Sequence, residues 1–231
     1  MSEIIRKRKS IRKFDLTPLD FHALEKIKAQ LTLLKPLYPD IRCSINIASS
    51  TKGLFNIKAP HYLIFSSEER EGHPENIGFI GQQMDLYLSQ SGLGSCWLGA
   101  SKPSEKQSSA LPHVICIGFG KPGEPLHREL SEFKRKPLSE VSEGDDRRLE
   151  AARLAPSGMN AQNWFFIAKD GKIHCYRKKL NPLKALVLDK LSCINMGIAI
   201  CHIAQESDDF HFEKEAGAPQ RNGLIYMGTC K

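Results

Sequence analysis

The 231-residue sequence lacks most of the signatures that would announce a chemistry outright. Its seven cysteines are odd in number and form no C-x-x-C pair, so neither a zinc cage nor a disulfide framework is expected. Several, such as Cys116 in VICIGFG and Cys201 in MGIAICHI, sit in apolar runs as small buried hydrophobes. The eight histidines fall in no H-E-x-x-H pattern, and Ser157 is not in G-x-S-x-G, so a hydrolase nucleophile finds little support. A strand-end G-x-G-x-x-G and a G-x-x-x-x-G-K-[ST] loop are both missing, so a Rossmann dinucleotide site and a P-loop find no support. No apolar run approaches the roughly 20 residues of a bilayer span. The basic start, MSEIIRKRKSIRKF, has no apolar stretch behind it to make a secretory signal. A cytoplasmic protein with no membrane partner is expected.

Acidic residues are the minority: 33 Lys and Arg face 26 Asp and Glu, for a net charge of +7. That balance permits attraction to nucleic acid or anionic surfaces without requiring it. The basic residues concentrate in two places, Arg6 to Lys13 and Lys134-Arg135-Lys136. Singly, each run reads as a solvated face; together they suit a phosphate, which is often held by cations from separate segments.

Apolar spacing predicts a helix with Thr17 as cap, Pro18 at its first position and Phe21, Leu24, Ile27, Leu31 and Leu34 on one face. Short strands are expected at 42–50 and 59–66, a helix at 75–91, the loop GLGSCWLGA after it, and a buried strand at 114–119. The polar segment SEGDD (142–146) reads as a linker between a first half, 1–141, and a second, 147–231. The second half reads as a helix at 147–155, strands at 164–169 and 172–177, a long helix at 183–205, and strands near Phe210 and at 223–230. The halves look related. ENIGFIGQQMDLYLSQ and SCINMGIAICHIAQ each place a glycine early in an apolar helix, and VICIGFGK and GLIYMGTCK are similar strands that follow. The expected class is α+β, a mainly antiparallel sheet flanked by helices.

Four segments carry candidate chemistry. Arg8, Lys9, Ser10 and Arg12 put cations and a hydroxyl within five residues, and guanidinium groups grip a phosphate in bidentate fashion. Lys134, Arg135 and Lys136 add cations from a distant turn. The loop APSGMNAQNW (155–164) lies between a helix and a strand. Pro156 ends the helix, Ser157 and Gly158 let backbone approach a flat ligand, and the amides of Asn160 and Gln162 suit the imide edge of a heterocycle. The glycine-rich GLGSCWLGA can aim backbone amides at a ligand through Leu98 and Gly99, with Trp97 as packing.

Together these segments resemble the nitroreductase family of flavin mononucleotide (FMN) enzymes. RKSIRKF is similar to its phosphate-binding stretch, APSGMNAQNW to its A-P-S-x-x-N-x-Q-P-W loop, GLGSCWLG to its G-L-G-T-C-W-I-G turn, and RKPLSEV to its R-K-P-L-E-E-V segment. The order departs from the family's, since the A-P-S-x-x-N loop here comes last, and Asn163 stands where the family has proline. Family members are intertwined homodimers with FMN at the subunit interface, so the rearrangement implies a dimer fused into one chain, a pseudo-dimer of two related halves. The resemblance then implies one tightly bound FMN per chain and a monomer. Arg8, Lys9, Ser10, Arg12 and Arg135, with Lys134 or Lys136, would hold the phosphate. Pro156, Ser157, Gly158 and Asn160 would line the ring, Leu98 and Gly99 would face its reactive nitrogen, and Gln162 would support the loop. It also implies ping-pong hydride transfer from NADH or NADPH to a nitroaromatic, quinone or similar acceptor, with no catalytic side chain and no metal, because the flavin carries the chemistry. The alternatives are a flavin-binding protein for storage or sensing, and a basic nucleic-acid-binding protein, which Phe14 and Phe133 alone support thinly.

Overall fold

Asp20, rather than Thr17, opens the first substantial helix of this computed structural model, which describes residues 2–53, 57–104 and 109–231. After a single turn, α1 (Ser2–Ile5), comes α2 (Phe21–Leu31), where the Asp20 carboxylate accepts the Ala23 amide. Thr17 lies upstream because its own amide is held by Asp15. The helix stops short of Leu34, which leaves Leu33 exposed.

The first half then supplies β1 (Cys43–Ala48), β2 (Thr51–Gly53), β3 (His61–Ser67), α3 (His73–Gln90), β4 (Gly94–Leu98), β5 (Ser101–Pro103) and β6 (His113–Gly120). Four of these strands form an antiparallel sheet in the order β1-β3-β6-β4, while β2 and β5 pair as a separate ribbon. The segment Gly94–Leu98, expected as loop, is therefore an edge strand. Cys96 and Leu98 alternate inward onto a small cluster with Tyr62, Ile64 and Cys116, and this period-two burial outweighs the glycines.

A short helix, α4 (Leu138–Val141), leads directly into β7 (Ser142–Glu143), which pairs parallel with β8 (Trp164–Lys169). The expected linker thus begins as a strand of the second sheet. Gly144 then turns at φ +83°, where an added Cβ would sit 2.1 Å from the Ala168 carbonyl oxygen. Beyond it lie α5 (Arg148–Leu154), β9 (Lys172–Lys178), α6 (Pro182–Gln205), β10 (Phe212–Glu213) and β11 (Leu224–Cys230), and the second sheet runs β10-β11-β9-β8-β7.

Leaving β7 aside, the two sheets share one plan. In β1-β3-β6-β4 and in β8-β9-β11-β10 the second strand of each unit is followed by the long helix, and every pairing is antiparallel. The long helices α3 and α6 meet reciprocally. A Cβ on Gly78 would fall 2.1 Å from the Ile194 carbonyl oxygen, and one on Gly197 would fall 1.9 Å from that of Glu75. Each helix also carries an asparagine that holds a loop of its own half, the one after α2 or the one after α5. Asn76 accepts the Leu37 and Tyr38 amides at 2.8 and 3.0 Å, and Asn195 accepts the Gly158 amide at 3.0 Å.

One core serves both halves, running from Phe65, Leu86 and Ile117 through to Trp164, Cys175 and Ile200. Contrary to the expectation that no apolar run approaches a span, helix α6 is long and apolar enough to cross a bilayer by length and composition, with a mean hydropathy of 1.5 in its best window. Its residues from Ser192 to Ile203 are instead buried in this core, as a central helix requires.

Candidate functional site

The N-terminal basic segment is laid onto the first sheet by the Ile11 amide, which donates to the Ser95 carbonyl at 2.9 Å. Gly94 leaves room for it, since a Cβ there would meet Ile11 Cγ1 at 2.8 Å. This turns Arg8 inward. Its side chain is buried, with Nε 2.9 Å from Asp85 Oδ2 of α3, and Asp85 also accepts the Ser95 hydroxyl in a short bond. An Arg8 terminal nitrogen donates to Ser10 Oγ at 3.2 Å, so Asp85 aims Arg8 and Arg8 aims the hydroxyl.

Two further arginines close on this point. Arg128 donates its backbone amide to the Lys7 carbonyl at 2.9 Å and its Nε to the Arg8 carbonyl at 3.2 Å. Its guanidinium lies 3.7 Å from the centre of the Phe133 ring, and that of Arg135 lies 5.7 Å from the same ring. Burial pulls Arg135 down to about 9, and repulsion from Arg128, Arg8 and Arg153 adds to it. Arg128 is pulled down to about 10, again by burial first and then by Arg8, with Arg12 adding to it against Glu132. Arg8 has Asp85, but neither Arg128 nor Arg135 has an ion-pair partner among the described residues. Partly buried cations that repel one another are short of an anion, and a dianion such as a phosphate monoester answers that deficit.

The loop after α5 is fastened beside these arginines. Arg135 donates to Asn160 Oδ1 at 2.5 Å and to the Leu154 carbonyl at 3.3 Å, and Asn160 Nδ2 donates to the Lys134 carbonyl at 2.6 Å. Gln162 accepts the Lys136 amide at 2.8 Å, donates to the Asn160 carbonyl at 3.0 Å, and has its own amide bound by Ser157 Oγ. Met159, Asn160 and Gln162 all take positive φ, between 49° and 54°. Three such residues in four positions store local strain, which these side-chain bonds hold in place.

The expected residues therefore divide by role. Arg8, Ser10 and Arg135 gather at one place, while Arg12 is exposed and reaches the cluster through its charge on Arg128. Lys9 is half-buried and 3.9 Å from Glu124, whose other oxygen accepts the Arg12 and Lys13 amides, and those amides hold the Glu124 carboxyl below its ordinary range against the cost of burial. Lys134 takes part through its carbonyl. Lys136 takes part through its amide, with its Nζ 3.4 Å from the Ala161 carbonyl oxygen. The amides of Asn160 and Gln162, expected at a heterocycle edge, are engaged with the basic turn and fix the loop. Gly99 and Gly158 meet across Leu191 of α6: added Cβ atoms would lie 3.7 Å from Leu191 Cδ1 and 2.7 Å from its Cδ2. Pro156 is buried behind this point, and the Leu98 side chain points into the small cluster around Tyr62. Two surface clefts, one lined by Asp146, Arg148 and Glu206 and one by Tyr176, Pro219 and Tyr226, include none of these residues.

Sequence reasoning missed Arg128, Asp85, Leu191 and Asn195. Arg128 stands alone in an irregular segment between acids, and Asp85 looks like any polar position of a helix. Only the fold shows that they converge.

The α+β plan of two mainly antiparallel sheets around a pair of long crossing helices is that of the nitroreductase-like fold. The sequence matches the family described as "Putative TM nitroreductase" over residues 1–207, and the chain belongs to that family. A "putative nitroreductase" of Thermotoga maritima has a similar structure, with a TM-score of 0.68 at 22% identity over 99% of this chain and 91% of its own. A nitroreductase family protein of Clostridium difficile 630 gives 0.48 at 17% identity, over 61% of this chain and 95% of its own. An "FMN-dependent Nitroreductase" of Clostridium difficile R20291 gives 0.46 at 17%, over 58% and 95%. A search of curated proteins finds no match.

Proposed function

We propose that this chain is an FMN-dependent oxidoreductase that holds one FMN and carries reducing equivalents from NADH or NADPH to a small-molecule acceptor such as a nitroaromatic or quinone. The observation that carries the reading is the pair of partly buried arginines, Arg128 and Arg135, without a carboxylate partner beside Arg8 and Ser10. The residues fit the cofactor. Arg8, Ser10, Arg12, Arg128 and Arg135 would bind its phosphate, while Ser157, Gly158, Gly99 and Leu191 would border its ring. Bound there, FMN supplies two-electron redox chemistry that no side chain can provide.

The chain's own part is positional. Asp85 holds Arg8 without neutralising the other cations, and the Asn160 and Gln162 bonds keep the ring-side loop against the phosphate side. Neither task needs a proton donor. His202, buried between Gln82 and the Ala151 carbonyl, is kept neutral by burial at a pKa of about 3, so it does not serve as an acid.

The halves would play the parts of two subunits, with a single cofactor between them in a monomeric chain. At the place related to Gly158 by the shared plan stands Tyr38, packed edge-on to Phe212 at 5.9 Å. Burial, with the charges of Glu75 and Glu71 adding to it, raises the Tyr38 phenol above its ordinary range, and a Cβ on Gly72 would lie 2.7 Å from its ring, so this counterpart of the ring-side position is filled. Anaerobic addition of NADH or NADPH to the FMN-loaded protein tests turnover. Bleaching of the flavin band followed by reoxidation with an added quinone is expected. A band that persists with both nicotinamides would reduce the protein to a flavin binder.

A further inference from the structure

The first two turns of α6 do not belong to the core that buries its second half. Leu183, Leu186 and Val187 are 82%, 85% and 78% exposed and lie at i, i+3 and i+4 on one helical face. The tip is well formed, since Asn181 caps it by accepting the Lys184 amide at 2.8 Å. A contiguous apolar face of this kind on an ordered helix marks a contact surface.

Its surroundings are basic. Lys179, Lys184 and Lys190 are exposed on the same segment, and the one acid within it, Asp189, is paired with Arg177. Lys102 and Lys190 both press on His113, whose pKa is lowered by burial first and by these two charges. Lys102 in turn faces Lys52 directly across the β2–β5 ribbon. Among the described residues none of these five lysines has a salt bridge to a carboxylate, and like charges facing each other across strands are mildly destabilising.

We infer that the α6 tip, Leu183, Leu186 and Val187 with Lys184 and Lys190 on the same helix, docks the protein on an anionic lipid surface. A helix that buries leucine and valine side chains in the acyl boundary while its lysines meet headgroup phosphates uses both halves of this face. A second copy of the chain would bring lysine against lysine. A nucleic acid would use the lysines and leave the apolar side chains in water. The contact is peripheral and differs from a membrane span, because the rest of α6 is core. It also has a consequence for the site: Leu191, one turn beyond Val187, lies between Gly99 and Gly158, so docking would set the flavin pocket beside the lipid phase, where apolar acceptors dissolve. That consequence rests on the FMN reading, whereas the docking itself does not.

The test is co-sedimentation of the full-length, FMN-loaded protein with phosphatidylcholine vesicles, with and without phosphatidylserine. The flavin absorbance of the same sample reports the cofactor reading separately. Binding to the anionic vesicles alone is expected, falling about tenfold or more in Leu186→Ser and about fivefold for each of Lys184→Ala and Lys190→Ala. The thermal midpoint of each variant, unchanged for exposed positions, shows that the fold is kept. The proposal is overturned by failure to bind anionic vesicles, or by binding that Leu186→Ser leaves intact, which would assign the attraction to the N-terminal cations. Self-association abolished by Leu186→Ser would overturn it in favour of a second copy as the occupant.

Discussion

At the scale of single residues, the reading turns on charges that lack partners. Arg135→Ala removes a cation that burial and its neighbouring arginines leave short of an anion, so FMN affinity should fall by about 1.5–3 kcal/mol, on the order of 10- to 100-fold, in a fluorescence-quenching titration. Unchanged affinity would detach Arg135 from the site. Because the empty cluster is repulsive, inorganic phosphate should raise the thermal midpoint of the flavin-free protein above that in chloride of equal ionic strength; equal midpoints would mean that no anion is bound. His202 makes a second, separate statement. Its folded pKa of about 3 lies below the ordinary 6.5, so the folded state takes up fewer protons between those values. The stability it contributes is complete above pH 6.5 and is lost as pH falls toward 3, at up to about 1.4 kcal/mol per pH unit. His202→Gln should flatten the loss of stability on acidification measured by urea melts, and an unaltered slope would assign that loss to other groups.

At the scale of elements, the crossing of α3 and α6 is the tightest joint in the molecule. Gly78→Ala or Gly197→Ala forces a Cβ onto a carbonyl oxygen and should cost about 1–3 kcal/mol or more. Gly99→Ala meets only ordinary contact with Leu191, so it should leave urea stability intact while crowding the proposed ring site and weakening FMN. The reverse pattern would place the ring elsewhere. Element positions were legible where the apolar pattern ran on without a competing cue, as in α3, α6 and the β8–β9 hairpin. They were misread where a competing local cue stood nearby. Thr17-Pro18 looked like a helix start, yet Asp20 caps α2. Three glycines in GLGSCWLGA suggested a loop, yet alternating burial of Cys96 and Leu98 makes a strand. The polar run SEGDD hid a short parallel strand, since two residues carry no periodicity.

At the scale of the whole molecule, the sequence showed the four segments of the site but not the means by which they meet. The basic segment, the basic turn and the 155–164 loop are far apart in the chain, and Arg8, Arg135 and Asn160 come together only because the sheets are joined by α3 and α6. Arg128 could not be found before that, and the bonds that Asn160 and Gln162 make to residues 134–136 were invisible in one dimension. The two glycines in apolar helices that suggested related halves, Gly78 and Gly197, are the positions at which α3 and α6 make their close contact.

The account's central claim is a single FMN at the arginine cluster, with the related position filled by Tyr38 and Phe212. Titration of the flavin-free protein with FMN, followed by flavin fluorescence and checked by absorbance after gel filtration, tests it most directly. The account predicts saturation at one equivalent per chain, with Arg135→Ala weakening that one site. Saturation at two equivalents, or no perturbation of FMN at all, would contradict it.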